Sequence, residues 1–483
     1  RHGPAGILLM PGAGTGSWSR HRRGARPLPA GARIAFLGHS FVGRGGFCTL
    51  SGGNPQYIAS SNLRGDFAWL RLWDARFNLD MWANAAKPDL GSVTDGYLDG
   101  AYQGLSGCHL IDNGGLSGTI ARTSRLLSLN PDIVVVDVGV NDINSSISDS
   151  ATLIARMETQ IALLLDAGKR VVWITPTDRG VGASGGLWPG GDGRRTWLRD
   201  AIDWLKSQDG RGGGRFRVCD ISNLGFNADG AGGFNAALFG ADQIHPNPRG
   251  GRMKAGALLP VLQAMVQPGA TYDPDPAAGN LWPAYSLKGT AGTRSGASIT
   301  GTVATGYIVA ANTGTTGVAC SKETIDANYD RQVLTFTPVN DGTANRIHVN
   351  HVRAADINLA TAGVAAGQWL EAFVHVELNA WAGWLGFNFV FEVYNGGTFI
   401  AQHSGGLNNP DAAIDSLPLE SGGFAGWIPL TRFQAPTYGS PTIIRLSTRP
   451  IQFQTDKTAA GTGIAKISRP ILRKVTSPIT AWS

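Results

Sequence analysis

Four short segments, in chain order, carry residue types that nucleophilic catalysis needs. They are Gly38-His39-Ser40, Asn113-Gly114-Gly115-Leu116-Ser117-Gly118, Gly139-Val140-Asn141-Asp142 and Asp242-Gln243-Ile244-His245. Ser40 offers a hydroxyl, a poor nucleophile until a base takes its proton. His245 has the best setting for that base. Asp242 lies three residues before it, so on one turn a carboxylate can hold the imidazole's far nitrogen. His39 adjoins Ser40 and is expected to point away from it, and His109 reads as a structural residue. A tetrahedral intermediate also needs fixed donors aimed at its oxygen. The Asn141 side-chain amide can donate, and Gly115 sits in a Gly-rich turn where a backbone N–H can approach closely. Taken singly, each segment has an ordinary explanation: an N-cap serine, an N-cap aspartate, a turn asparagine. The ordered set is the signal.

The surrounding pattern places these residues at the ends of strands. Arg33–Leu37 is a short apolar run ending at Gly38, as a buried parallel strand would be. Asp132–Val138 is a second, β-branched run, Arg170–Ile174 a third and Arg215–Cys219 a weaker fourth. Between them, Leu153, Ile154, Met157, Ile161, Leu164 and Leu165 form one stripe of a helix over 151–167, stopped by Gly168. Trp197, Ile202, Trp204 and Leu205 mark another, ending near Gly210. A further helix holds Met253, Leu258 and Leu259, with Pro246 in its first turn. Alternating strand and helix implies an α/β fold with a doubly wound parallel sheet. Ser40 and Asn141 then both follow the carboxyl ends of strands, where ligands bind in such sheets. The long interval between Ser40 and Gly115 holds Phe67, Leu70, Trp73 and Phe77 at helical spacing, which predicts core positions.

The four segments together resemble the SGNH hydrolases, the GDSL-type esterases and lipases, over roughly Ala32–Met265. The resemblance implies a serine esterase working through an acyl-enzyme, with Ser40, His245 and Asp242 as catalytic residues. It implies an oxyanion hole made of the Ser40 N–H, the Gly115 N–H and the Asn141 side chain. No cofactor and no metal are expected. One departure is plain: the family usually has Asp before the serine, and this chain has His39. The same residues would also serve a lipase, a thioesterase or a sugar acyltransferase. The other possibility is a non-catalytic, phage-tail-like glycan-binding adhesin with an idle site.

Composition bounds the rest. A chain of 483 residues suggests two or three domains. Residues 1–31 are rich in Gly, Pro and Arg and read as a poorly structured leader in which a targeting signal is not legible. The formal net charge of +6 is concentrated there: residues 1–33 hold six arginines and no acidic residue, leaving 35 basic against 35 acidic residues elsewhere. A neutral body argues against nucleic acid as a partner. No stretch of eighteen apolar residues exists, so no membrane span is predicted. Residues 32–266 are then the catalytic domain, and the proline-rich 267–279 a linker. Residues 280–483 are a β-rich unit with strands at Val333–Thr337, Ala372–Leu378, Phe387–Tyr394, Thr442–Leu446 and Gly463–Ile467. Short strands between turn clusters suggest a β-sandwich, resembling the jelly-roll modules of carbohydrate-active enzymes and phage tail proteins. Its closing stretch, Ala465–Arg473, resembles the last strand of such modules. Trp282, Trp369, Trp381, Trp384 and Trp427 lie there; most are expected in the core, while an exposed indole would suit a sugar ring. The expected substrate is accordingly a small ester or an acylated polysaccharide, and the expected setting is secreted or extracellular. Cys48 and Cys108 could pair in such a setting or remain buried thiols. His348 and His351 read as surface residues rather than metal ligands.

Overall fold

The computed structural model of the chain describes residues 25–30, 32–45, 66–74, 96–99, 102–105, 107–179, 193–226, 235–239, 243–246, 248–268, 274–296, 298–313, 317–337, 346–353, 356–382, 384–408, 424–429, 433–435, 440–445, 451–456 and 462–476. In chain order the first part contains β1 (Ile34–Gly38), α1 (Ser40–Gly45), α2 (Asp66–Trp73), β2 (Gly96–Asp99), β3 (Tyr102–Leu105), α3 (Thr119–Ser128) and β4 (Ile133–Asp137). Then come α4 (Val140–Ser145), α5 (Ser150–Asp166), β5 (Arg170–Ile174), α6 (Gly193–Ser207), the single turn α7 (Arg211–Gly214), β6 (Phe216–Cys219) and α8 (Pro248–Met265).

These strands form one sheet in the order β2-β3-β1-β4-β5-β6. Strands β3, β1, β4, β5 and β6 are parallel. The chain runs from β1 to β3 on one side, then crosses to β4 on the other. In such sheets ligands bind at that reversal, outside the carboxyl ends of β1 and β4. The register pairs Gly38 with Asp137, so the residues just past these two strands sit side by side.

Both faces of the sheet are covered, which is why β1 and β4 are buried at every position. Ala35, Leu37, Val134, Val136, Val171 and Trp173 share one apolar cluster with residues of α3, α5 and α6. Their neighbours Ile34, Phe36, Ile133, Val135, Val172 and Ile174 face the opposite cluster, with Leu258 and Leu262 of α8. In α5 the Asp149 carboxylate accepts the Thr152 N–H at 2.7 Å as the N-cap, and the Leu153, Met157, Ile161, Leu164 stripe is buried. Gly168 (φ 77°) supplies the left-handed residue that ends it.

Several sequence expectations change. The sheet is not wholly parallel: β2 pairs antiparallel with β3 at the edge, in the stretch between Ser40 and Gly115. The fold begins before Ala32, because the Leu28 N–H donates to the Met265 carbonyl at 2.7 Å and its carbonyl accepts from the Gln267 N–H at 2.7 Å. The proline in the first turn of α8 is Pro248; Pro246 instead bridges to Phe239. Trp69 and Leu70 of α2 are core residues, but Trp73 is 38% exposed, with the Arg252 guanidinium 5.9 Å from its ring. Phe77 lies outside the described residues.

The remaining strands form two sheets. In one, the neighbours run Phe424–Pro429, Trp369–Ala382, Thr462–Val475, Asp330–Thr337, Gly317–Thr324 and Ile299–Gly301, with Phe433–Gln434 also beside Trp369–Ala382. In the other they run Ile357–Asn358, Ile443–Arg445, Trp384–Asn395, Ile451–Asp456, Arg346–Arg353, Val303–Thr313 and Ala291–Ser295, with Thr398–Asn408 also beside Trp384–Asn395. Pairing is antiparallel except where Ile299–Gly301 meets Gly317–Thr324 and where Ala291–Ser295 meets Val303–Thr313. The stretch Ala465–Arg473 belongs to a central strand, held between Asp330–Thr337 and Trp369–Ala382. Trp282 is fully buried, stacked on Tyr307 and Phe389 at ring separations of 6.3 and 6.1 Å. The apolar cluster around it is continuous with the one beneath α8. The side chains of Trp381, Trp384, His348 and His351 lie outside the described residues. Among the described residues no helix is long and apolar enough to cross a membrane.

Candidate active site

Ser40 is the first residue of α1, immediately past β1, and is buried. Its Oγ lies 2.7 Å from Nε2 of His245, although 205 residues separate them. His245 is half-buried on the turn before α8, and Phe41 packs edge-on against its ring at 5.6 Å. That turn is strained: Gln243 has φ 51°, in the left-handed region that non-glycine residues rarely adopt. Asp242 lies outside the described residues.

Gly38 explains how the turn into Ser40 is so tight. A Cβ there would lie 2.2 Å from the Asp137 carbonyl oxygen and 2.6 Å from Val42 Cγ2. Only glycine lets β1 end against β4 in this way. The Gly38 carbonyl is then gripped from α3. Arg122, itself buried, donates to it at 3.0 Å and to the Gln103 carbonyl at 2.7 Å. The Cys108 thiol donates to the same Gly38 carbonyl at 3.3 Å, and its sulfur accepts from Arg122 at 3.1 Å. Cys108 is thus a buried free thiol; burial pushes its pKa up to about 11, and Arg122 opposes that rise. Cys48 lies outside the described residues.

Asn141 is on the first turn of α4, just past β4. Its Nδ2 donates to the Cys108 carbonyl at 3.0 Å, and its Oδ1 accepts from the Arg179 guanidinium at 3.3 Å. Cys108 therefore joins the Ser40 turn to Asn141. Next door, the fully buried Asp142 accepts from the Leu110 N–H at 3.0 Å and from Arg156 at 2.9 Å, which anchors α4 to this loop. Burial nonetheless leaves the Asp142 carboxyl above its ordinary pKa. Gly115 is at the exposed tip of a two-residue hairpin turn: Asn113 and Leu116 exchange backbone hydrogen bonds of 3.1 and 3.0 Å, and Gly114 and Gly115 have φ 58° and 82°. Among the described residues no hydrogen bond links Gly115 to Ser40, Asn141 or His245. Gly118, not singled out in the sequence, is the closely packed glycine of this loop. A Cβ there would meet the Ile111 carbonyl carbon at 2.3 Å, and its N–H donates to Asp112 at 2.8 Å.

His39 is turned into the protein. It is 1% exposed, and its Nδ1 accepts the Phe41 N–H at 3.2 Å, which leaves the proton of the neutral ring on Nε2. Burial lowers its pKa to about 3 against the favourable field of Asp137. Beneath it, Lys254 of α8 is buried with Nζ 2.6 Å from Asp137 and 3.8 Å from Asp66. Burial opposes the charge on Lys254, but the two carboxylates outweigh it and hold its pKa above the ordinary lysine value. Breaking such a buried pair by removing one partner costs about 3–5 kcal/mol. This cluster ties α8, which follows His245, to the end of β4. His109 is also buried, beside Asn113, and burial lowers its pKa.

Residues 80–253 match the model of the GDSL-like lipase/acylhydrolase family. The α/β domain is that of a carboxylic ester hydrolase. The matched segment contains Gly115, Asn141, Asp242 and His245, and it begins past Ser40. Among curated proteins no sequence matches the chain. Among solved structures the chain is similar to a carbohydrate acetylesterase from Sinorhizobium meliloti, at 15% identity and a TM-score of 0.32 over 48% of this chain and 99% of that one. It is also similar to a family 3 carbohydrate esterase from Talaromyces cellulolyticus, at 17% identity and a TM-score of 0.28 over 48% and 96% of the two chains. A third similar structure is the aryl esterase of M. smegmatis, at 14% identity and a TM-score of 0.32 over 49% and 100%. Among the described residues no group of three or more His, Cys, Asp or Glu side chains is placed to hold a metal ion.

Proposed function

We propose that the protein is a serine esterase of the SGNH type that removes an acetyl or similar small acyl group from a glycan through an acyl-enzyme. The observation that carries this reading is the 2.7 Å contact between Ser40 Oγ and His245 Nε2 outside the carboxyl ends of β1 and β4. His245 takes the Ser40 proton as Oγ attacks the ester carbonyl. It then protonates the leaving alcohol and later activates the water that releases the acid. Asp242, three residues before His245, is assigned to the imidazole's other nitrogen, which it orients and whose charge it stabilises. The carbonyl oxygen becomes an oxyanion facing the Ser40 N–H, the Gly115 N–H and the Asn141 amide. Amides in the first turn of a helix have no acceptor within it, which suits the Ser40 N–H for this task.

Asn141→Ala should lower kcat by about 10²–10³-fold with little change in KM, the usual loss for one oxyanion donor. Steady-state hydrolysis of p-nitrophenyl esters from acetate to palmitate reads both constants. A change confined to KM would make Asn141 a substrate contact instead. The same series tests acyl length, and a steep fall beyond acetate and propionate is expected.

The two C-terminal sheets are read as a β-sandwich, jelly-roll module that holds polymeric substrate, in an extracellular or cell-surface setting. The balanced charge supports this: from Gln267 onward there are fourteen basic and fourteen acidic residues. Binding should therefore depend little on salt. Inactive Ser40→Ala protein should be retarded by acetylated polysaccharide in affinity electrophoresis, equally at low and high ionic strength. Unretarded migration would remove the glycan from the proposal and leave the esterase.

A further inference from the structure

We propose that Arg179 is a positioning residue for Asn141, fixing which end of that amide faces the substrate. The inference rests on the reading of Asn141 as an oxyanion donor. Arg179 follows β5 at the same carboxyl edge of the sheet that carries Ser40 and Asn141, and it is 8% exposed. Its guanidinium donates to Asn141 Oδ1 at 3.3 Å while the Cys108 carbonyl accepts from Asn141 Nδ2 at 3.0 Å.

These two partners define the amide's orientation. Turning the group over would set Nδ2 against the buried guanidinium and Oδ1 against a carbonyl, two repulsive contacts. An amide nitrogen carries two hydrogens. Cys108 takes one, and the other is the hydrogen assigned to the oxyanion. If the amide inverted, it would present an oxygen to a developing negative charge. A cation on Oδ1 also draws electron density from the nitrogen and strengthens its remaining donor. Arg179 thus acts through Asn141 rather than by touching substrate. The neighbouring residue steadies its backbone: the Arg179 N–H donates to the Asp178 carboxylate at 2.8 Å, and Arg195 lies 3.9 Å from the same carboxylate.

The test compares wild type, Arg179→Ala, Arg179→Gln, Arg179→Lys, Asn141→Ala and the Asn141→Ala/Arg179→Ala double variant. Two quantities are read: kcat and KM on p-nitrophenyl acetate, and the second-order rate at which a fluorophosphonate labels Ser40. Labelling also builds charge on an oxygen in the hole, so it reports on the donors without a choice of ester. Arg179→Ala should lower kcat and the labelling rate by about 10- to 100-fold, the cost of a misplaced catalytic group, with KM changed less than about twofold. Arg179→Gln, which keeps an N–H donor toward Oδ1, should recover more of the loss than Ala. Adding Arg179→Ala to Asn141→Ala should cost nothing further. Should Arg179→Ala not fold, the Gln and Lys variants in both backgrounds carry the comparison. Unchanged rates, an effect on KM alone, or losses that multiply in the double variant would overturn the proposal. Failure of the underlying reading looks different: Asn141→Ala itself would then leave kcat intact.

Discussion

Ser40→Ala should lower kcat by about 10⁴–10⁶-fold while leaving the protein folded. His245→Ala should do nearly the same, and the double variant should be no worse than either single one. In the proposed mechanism Ser40 and His245 act as one unit: once either is gone, the other has no step to assist. What survives is the modest acceleration from the oxyanion donors and substrate binding. The fold should survive because Ser40 loses only a hydroxyl, whose net hydrogen-bond contribution is about 1 kcal/mol. Circular dichroism and thermal melting check that point, and ester hydrolysis checks the rate. Losses that multiply in the double variant would mean the 2.7 Å contact joins two residues with separate tasks.

The second large effect concerns acid stability. His39 is fully enclosed and neutral, with a pKa pushed by burial from 6.5 to about 3 in the folded chain. As pH falls, the unfolded chain binds this proton first. The stability tied to a neutral His39 is complete above about 6.5 and is lost progressively toward pH 3. The slope is about 1.4 kcal/mol per pH unit, on the order of 4–5 kcal/mol over the whole window. The wild type should therefore lose roughly 2 kcal/mol through this group between pH 6.5 and 4.5. His39→Asn should lack that component, because an amide does not titrate. Urea denaturation of both proteins across this range measures the difference, and carboxylates common to both cancel. Parallel pH dependence in the two would show that His39 is already protonated in the folded protein. A buried cation, rather than a neutral ring, would then sit beside Ser40.

The parallel strands were legible because burial on both faces demands apolar side chains at every position. Ile-Val-Val-Val in β4 satisfies that demand and little else does. The edge hairpin β2–β3 was not legible. Gly-Tyr-Leu-Asp and Tyr-Gln-Gly-Leu carry no β-branched run and no clean alternation, and their pairing is set by the neighbouring strand. Ser40 and His245 are legible only as members of the ordered set of four segments, since each alone reads as a cap or turn residue; the set pairs them as nucleophile and base, and they lie 2.7 Å apart. The groups that hold them were hidden for a plain reason: their partners are far away in sequence. Arg122 reaches Gly38 across 84 residues, Arg179 reaches Asn141 across 38, and Lys254 reaches Asp137 across 117. On a helix pattern such as Arg-Met-Lys-Ala-Gly-Ala-Leu-Leu, Lys254 looks like a solvated surface lysine. Only the two carboxylates brought to it by α2 and β4 make its burial tolerable. Trp73 erred in the other direction. Helical spacing promised it to the core, yet α2 turns that position outward while Trp69 and Leu70 are buried.

The proposed esterase mechanism requires Ser40 to be a nucleophile activated by His245. The most direct measurement treats the full-length protein with a fluorophosphonate and locates the adduct by peptide mass spectrometry. One adduct is expected, on Ser40, formed rapidly in wild type and very slowly in His245→Ala. An adduct on another serine, or labelling of Ser40 at the same rate with and without His245, would contradict the mechanism.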